Sequence, residues 1–290
     1  MKRIVVAWIL ALVLVCTGLT ALADMPTQDR AGNEITVPET VETIVSLAPA
    51  ITQVLVDLGA ADKIVAIDTY SAGTKGLSET LPAFDMMTPD LEQIIALAPD
   101  IVLMTGMTLT GGDDPMKQLT DAGICVAYIP SSDSIEGILE DTLFIGQIAG
   151  DEAGAQGLND TLTAAIDELR VTTDDPTPVF FEIGFPYTMG SGTFINEMIE
   201  ILGGRNIFAD ETGWLTVSDE AVIAAAPEII FTNADWNPEA VAEILAREGW
   251  ETIPAVENGR VYLINGDASS QPNHRIIYAL QEMAAAFAAE

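Results

Sequence analysis

The chain has 290 residues, and 44 Asp and Glu against 11 Lys and Arg give it a formal net charge of −33 at pH 7. That balance excludes nucleic acid and anionic lipid as main partners, because both demand clustered Lys and Arg. It fits a basic partner surface, a salty medium or plain solubility, and the length allows one large domain or two medium ones, each with its own core.

The first 23 residues read as a targeting segment. Lys2 and Arg3 precede an apolar run over 4–15, and Ala21, Leu22 and Ala23 supply a small-x-small site before Asp24. That order predicts a signal peptide cleaved after Ala23. The alternative is an uncleaved anchor, because the run approaches spanning length, although Thr17, Gly18 and Thr20 weaken its second half. Cys16 lies in this segment behind Val13 and Val15 rather than the Leu and small residue of a lipidation site. Cys125 sits in a strand-like run and reads as a small core residue.

Short β-branched runs then alternate with helical patterns. Strands are predicted at 43–47, 64–67, 101–104 and 125–129, and helices at 51–58, 91–98, 115–122 and 135–148. A second series has strands at 179–183, 229–232 and 261–264, and helices at 194–202, 219–226, 238–247 and 273–289. Alternation of this kind implies α/β lobes with mostly parallel sheets. Between the series, Leu158, Leu162, Ala165, Ile166 and Leu169 recur at helical spacing. The expected architecture is therefore an N-terminal lobe over 24–148, one long linking helix over 149–176, and a C-terminal lobe over 177–290. A helical link is stiffer than a Gly/Ser linker and permits only small lobe motion.

Residues 88–104 resemble residues 216–232. Each has Thr, Glu four residues later (Glu92, Glu220), Pro seven after that (Pro99, Pro227), an acid (Asp100, Glu228) and a buried strand. Thr88 and Ser218 are expected to cap the two helices, and the prolines to end them. Glu92 and Glu220 fall where the helix dipole favours an anion, so plain helix stabilisation explains them. Duplicated lobes give them a second reading, as matched carboxylates, one per lobe.

Here a resemblance becomes specific. Thr43-Ile-Val-Ser-Leu-Ala-Pro-Ala, Asp62-Lys-Ile-Val-Ala, Leu91-Glu-Gln-Ile-Ile-Ala-Leu-Ala-Pro-Asp, Gly192-Thr-Phe-Ile-Asn-Glu and Gly203-Gly-Arg-Asn-Ile stand in one order through the chain. Together they resemble the solute-binding proteins of ABC importers that have two Rossmann-like lobes and one linking helix, the cobalamin, haem and ferric siderophore binders. The resemblance implies an exported protein, in the periplasm or on the outer face of the membrane, that is not an enzyme and has no resident cofactor. It implies a free monomer that captures a metal chelate, a corrinoid first and a ferric siderophore or haem next, and passes it to permease subunits. Glu92 and Glu220 fall on the positions that dock on permease arginines.

In such an architecture the ligand lies between the lobes, against loops that follow the strands. Those loops are rich in Tyr, Trp, Phe and Met, which offer large apolar contact. Ligand-binding candidates are Tyr70, Met86, Thr105, Tyr187, Trp214, Asp267, His274 and Arg275. Tyr70, Tyr187, Trp214 and Asp267 coincide with ligand-contacting positions of the cobalamin binders. Met86 and Ala268 stand where those members carry aromatics, and Gln271 where they carry an arginine. Gly190-Ser191-Gly192 is a candidate anion cradle or a tight loop. His274, the one histidine, reads as a metal ligand or a surface polar group, and Arg275 as a partner for a ligand carboxylate or a local acid. Other readings are a free-metal binder of the same fold, which one histidine disfavours for zinc, and an exported enzyme, for which no nucleophile or phosphate-binding motif stands out.

Overall fold

The computed structural model describes residues 25–106 and 116–289. The leader over 1–23, Cys16 and the end of the loop after Thr105 lie outside those residues. The first lobe runs β1 (Ile44–Leu47), α1 (Pro49–Asp57), β2 (Ile64–Asp68), β3 (Ala83–Phe84), α2 (Leu91–Leu97), β4 (Ile101–Met104), α3 (Lys117–Asp121), β5 (Cys125–Tyr128) and α4 (Ile135–Ala149). Its five strands form a parallel sheet in the order β3-β2-β1-β4-β5. β1 and β4 are buried throughout, as strands covered on both faces must be. Successive side chains point to opposite faces. Ile44, Ile101 and Leu103 join α1 and α4 in one core cluster, while Val45, Val102 and Met104 join α2 and α3 in another.

Helix α5 (Glu152–Leu169) leads to β6 (Thr177–Glu182), β7 (Tyr187–Met189), α6 (Phe194–Ile201), β8 (Gly204–Asn206), β9 (Trp214–Thr216) and α7 (Asp219–Ala225). The chain continues through β10 (Ile229–Thr232), α8 (Ala240–Leu245), α9 (Pro254–Glu257), β11 (Val261–Leu263), α10 (Gly266–Ser270) and α11 (Ile276–Ala288). A parallel sheet β11-β10-β6-β8 forms the second lobe, and β7 and β9 make a separate antiparallel pair. The short strands β3, β7, β8 and β9 escape periodicity because two or three residues show no alternation.

One long helix, α5, joins the lobes, with α4 packed beside it. α5 ends at Leu169, short of the expected 176, and the β-branched Val171, Thr172 and Thr173 that follow are weak helix formers. α4 and α5 form a helical hairpin turned at Gly150, which adopts φ +78°. Gly146 lets them approach closely, since a Cβ there would collide with Ala155. α4 straddles the lobes: Ile135 and Ile138 belong to the second lobe's core, Phe144, Ile145 and Ile148 to the first. Among the described residues no helix is long and apolar enough to cross a membrane.

Candidate functional site

A cavity of about 180 Å³ lies between the lobes. One wall comes from residues that follow strands of the first lobe: Ala48 and Pro49 after β1, Met86 after β3, Thr105 after β4 and residues 129–131 after β5. α1 and α4 add Ile51, Val54, Thr142 and Ile145, and residues 270–273 of the second lobe close the opposite side. The carboxyl ends of parallel strands are where open α/β sheets bind ligands. Met86 and Thr105, both expected here, are buried in this wall. Asp141 also lines it, yet it is no free anion. Arg30 Nε donates to it at 2.7 Å and Ser132 Oγ at 2.5 Å, while burial pushes its carboxyl upward against those bonds.

The expected aromatics Tyr70, Tyr187 and Trp214 are exposed and are not among the residues that line this cavity. Tyr70 follows β2 and is 76% exposed. Its turn is fixed by buried Asp68, which accepts from the backbone N–H groups of Tyr70 and Ser71 at 2.8 and 3.0 Å and from the Ser71 hydroxyl. In the second lobe, Tyr187 pairs with Thr216 and Met189 with Trp214. Tyr187 and Trp214 are therefore diagonal neighbours on one face of the β7–β9 ribbon, 58% and 60% exposed. A further exposed aromatic, Trp236, sits in the loop after β10. Its signal was present in the sequence: it follows a buried strand as the other candidate loops do.

His274 and Arg275 are both paired with an acid of the first lobe. His274 is buried, and its Nε2 lies 2.8 Å from Asp57 Oδ2 at the end of α1. Arg275 Nε and Nη2 donate to the same carboxylate at 2.6 and 2.7 Å. Of the alternatives the sequence allowed Arg275, the local acid is the one realised. Burial opposes ionisation of Asp57, but the His274 and Arg275 hydrogen bonds and the arginine charge prevail and hold it well below the usual carboxylate range. The three residues clasp α1 of one lobe to the start of α11 of the other. Asp267 lies on α10 beside a smaller cavity of about 120 Å³, where its carboxylate accepts from Gln271 Nε2 at 3.1 Å.

Gly190-Ser191-Gly192 is a tight loop and no anion cradle. The Gly190 N–H donates to Gly213 O and the Ser191 N–H to Glu211 O, both at 2.8 Å. A side chain at Gly190 would strike the Glu211 carbonyl, which explains the glycine. Cys125 is a half-buried strand residue whose thiol burial pushes up to about 11. Among the described residues no three His, Cys, Asp or Glu side chains converge on a point.

Glu92 and Glu220 occupy matching exposed positions in the first turns of α2 and α7. Thr88 is not the cap of α2. Asp90 is, accepting from the Gln93 N–H at 3.0 Å, and it aligns in the repeat with Ser218, which caps α7 from the Ala221 N–H at 3.3 Å. Both helices end in a left-handed alanine, Ala98 and Ala226, each at φ 48°. The proline that follows each alanine disfavours the right-handed helical region. Glu220's own backbone N–H, then the Ser218 hydroxyl, hold its carboxyl below the ordinary range.

The periplasmic binding protein family profile matches residues 44–268. An uncharacterized ABC transporter substrate-binding lipoprotein of Bacillus subtilis is 30% identical over 264 residues, covering 88% of this chain and 83% of its own. A cobalamin-binding protein of Halobacterium salinarum is 28% identical over 271 residues, covering 89% and 73%. The structure of a possible iron-binding periplasmic solute-binding protein of Staphylococcus epidermidis superposes with a TM-score of 0.74 at 29% identity, covering 85% of this chain and 98% of that one. With its two parallel-sheet lobes, interlobe cavity and repeated capped helices, the chain belongs to the periplasmic binding protein family, among the substrate-binding proteins of ABC transporters.

Proposed function

We propose that this protein captures a metal chelate of the corrinoid class, with haem or a ferric siderophore as lesser candidates, and delivers it to an ABC importer from outside the cytoplasmic membrane. The observation that carries the reading is the interlobe cavity, and the exposed rings of Tyr70 after β2 and of Tyr187 and Trp214 on the β7–β9 ribbon support it. Bare aromatic surface of this kind suits a large, partly apolar ligand. The charges favour a weakly charged cargo over a polyanionic siderophore. Arg275 is held by Asp57, Arg30 by Glu140 and Asp141, and Arg247 by Glu182. The relative described as cobalamin-binding points the same way. Glu92 and Glu220 would set the two lobes on a basic permease rim, and the acid-base pairs of the cavity are structural, so no catalytic step is assigned. Asp267 and Gln271 would meet polar groups at the edge of the chelate.

Isothermal titration of the purified protein with cyanocobalamin, haemin and a ferric hydroxamate tests this reading. Micromolar or tighter binding of cyanocobalamin, with weaker binding of the other two, is expected. Binding of free zinc alone would sink it in favour of the bare-metal reading.

A further inference from the structure

We infer that Trp236 is a ligand-contacting, specificity-determining residue that lays its indole against the face of a planar macrocyclic chelate. This rests on the cleft reading above. Trp236 is 70% exposed, whereas Trp250 of the same lobe is fully buried against Phe180 and Phe185. An indole that served only the core would sit as Trp250 does.

Its place in the fold argues for the cleft. Trp236 follows β10, which pairs with β6 on one side and β11 on the other, so the loop leaves the sheet at an interior carboxyl end. Gly184 stands in the turn after β6 with φ +79°, and Trp236 Cζ2 lies 3.9 Å from where a Gly184 Cβ would be. The indole therefore lies over the turn that presents Tyr187, whose N–H donates to Gly184 O at 3.0 Å. Trp236, Tyr187 and Trp214 thus make a row of exposed aromatics along one lobe. Facing a ligand from one side, such a row suits an extended flat ring better than a compact, roughly spherical siderophore complex.

The loop is also built to hold the ring still. The Asn233 N–H donates to Glu182 O at 3.3 Å, the Asp235 N–H to Asn233 O at 2.8 Å, and the Asn237 N–H to Ala234 O at 3.0 Å. Asp235 accepts from the Gly266 N–H at 2.7 Å, and Asn233 Nδ2 donates to Ser270 Oγ at 3.1 Å. Ser270 lines the interlobe cavity. The exposure of Trp236 therefore belongs to a braced loop tied to the cavity wall, and a preorganised contact loses little freedom on binding.

Titration of the wild type, Trp236→Ala, Trp236→Phe and the exposed control Leu245→Ala with cyanocobalamin and haemin tests this, alongside transport in cells. Wild-type binding with an affinity about tenfold weaker in Trp236→Ala, less weakened in Trp236→Phe and unchanged in Leu245→Ala supports the inference. Wild-type binding that Trp236→Ala leaves intact overturns it while the cleft reading stands. Intact affinity with lost transport also overturns it, and places the indole on the permease side. A wild type that binds neither chelate defeats the cleft reading and the inference together.

Discussion

The two lobes share a scaffold and divide the work on it. In both, a side-chain cap, an exposed glutamate, a left-handed alanine, a proline and a buried strand follow in the same order, from Asp90 to Met104 and from Ser218 to Thr232. Each strand enters its sheet against the same kind of neighbour: Ile101 pairs with Ile44 of β1, and Ile229 with Val179 of β6. At the cleft the lobes differ. The first contributes an apolar wall of buried residues, Met86 and Ile129 among them, and one exposed ring, Tyr70, while the second carries exposed rings on the antiparallel β7–β9 ribbon and on the loop after β10. On the proposed reading, duplication preserved what must be matched in space, the outer carboxylates, and released what would fit an asymmetric ligand.

The strongest test of the matched half is the double change Glu92→Ala, Glu220→Ala. Transport in cells should fall to background while chelate affinity, read by titration, stays at the wild-type value. Each single change should leave partial transport, and full transport in the double variant would break the comparison. A smaller effect is expected at the clasp between the lobes. Asp57→Asn removes a carboxylate held by His274 and Arg275, and denaturant unfolding should show a loss of about 1–2 kcal/mol once solvent screening is allowed for. Because the folded carboxyl titrates lower than the unfolded one, this stabilisation is present above about pH 4 and fades as pH falls below it. The wild-type advantage over Asp57→Asn should narrow in acid. Growth of that advantage in acid would refute the assignment.

On the unmatched half, Tyr187→Ala and Trp214→Ala should each weaken chelate binding about tenfold. As neighbours on one ribbon face they should be non-additive in a double-mutant cycle. Strict additivity would show that they do not share one ligand surface. The least effect returns to the matched half. Ala98→Gly and Ala226→Gly relieve left-handed strain, offset by the greater freedom of glycine when unfolded, so each should stabilise by about 0.5 kcal/mol in thermal or denaturant unfolding. A gain at one site without the other would mean that the two turns, alike in backbone, differ in what surrounds them.

Much of the architecture was legible because its signals are local. The strands over 101–104 and 229–232 are continuous apolar runs, and the structure places them as read. The cap of α2 was misplaced by two residues, since Thr88 and Asp90 both satisfy the rule for a cap and only the backbone trace chooses Asp90. Tyr70, Tyr187 and Trp214 were legible as loop aromatics. That two of them share a ribbon face was not, because β7 and β9 are three residues each and meet across twenty-four intervening residues. Asp57 carried no signal of its own, as one acid among 44.

The sequence by itself determined the α/β alternation, the duplication of the capped helix and strand, and the paired glutamates, because periodicity, capping and helix termination act over a few neighbouring residues. Only the tertiary structure decided which polar side chains remain free for a ligand. His274 and Arg275 stood open to several roles until α1 came within hydrogen-bond reach of α11. Their partner lies more than two hundred residues away in the chain, and charge pairing acts through space.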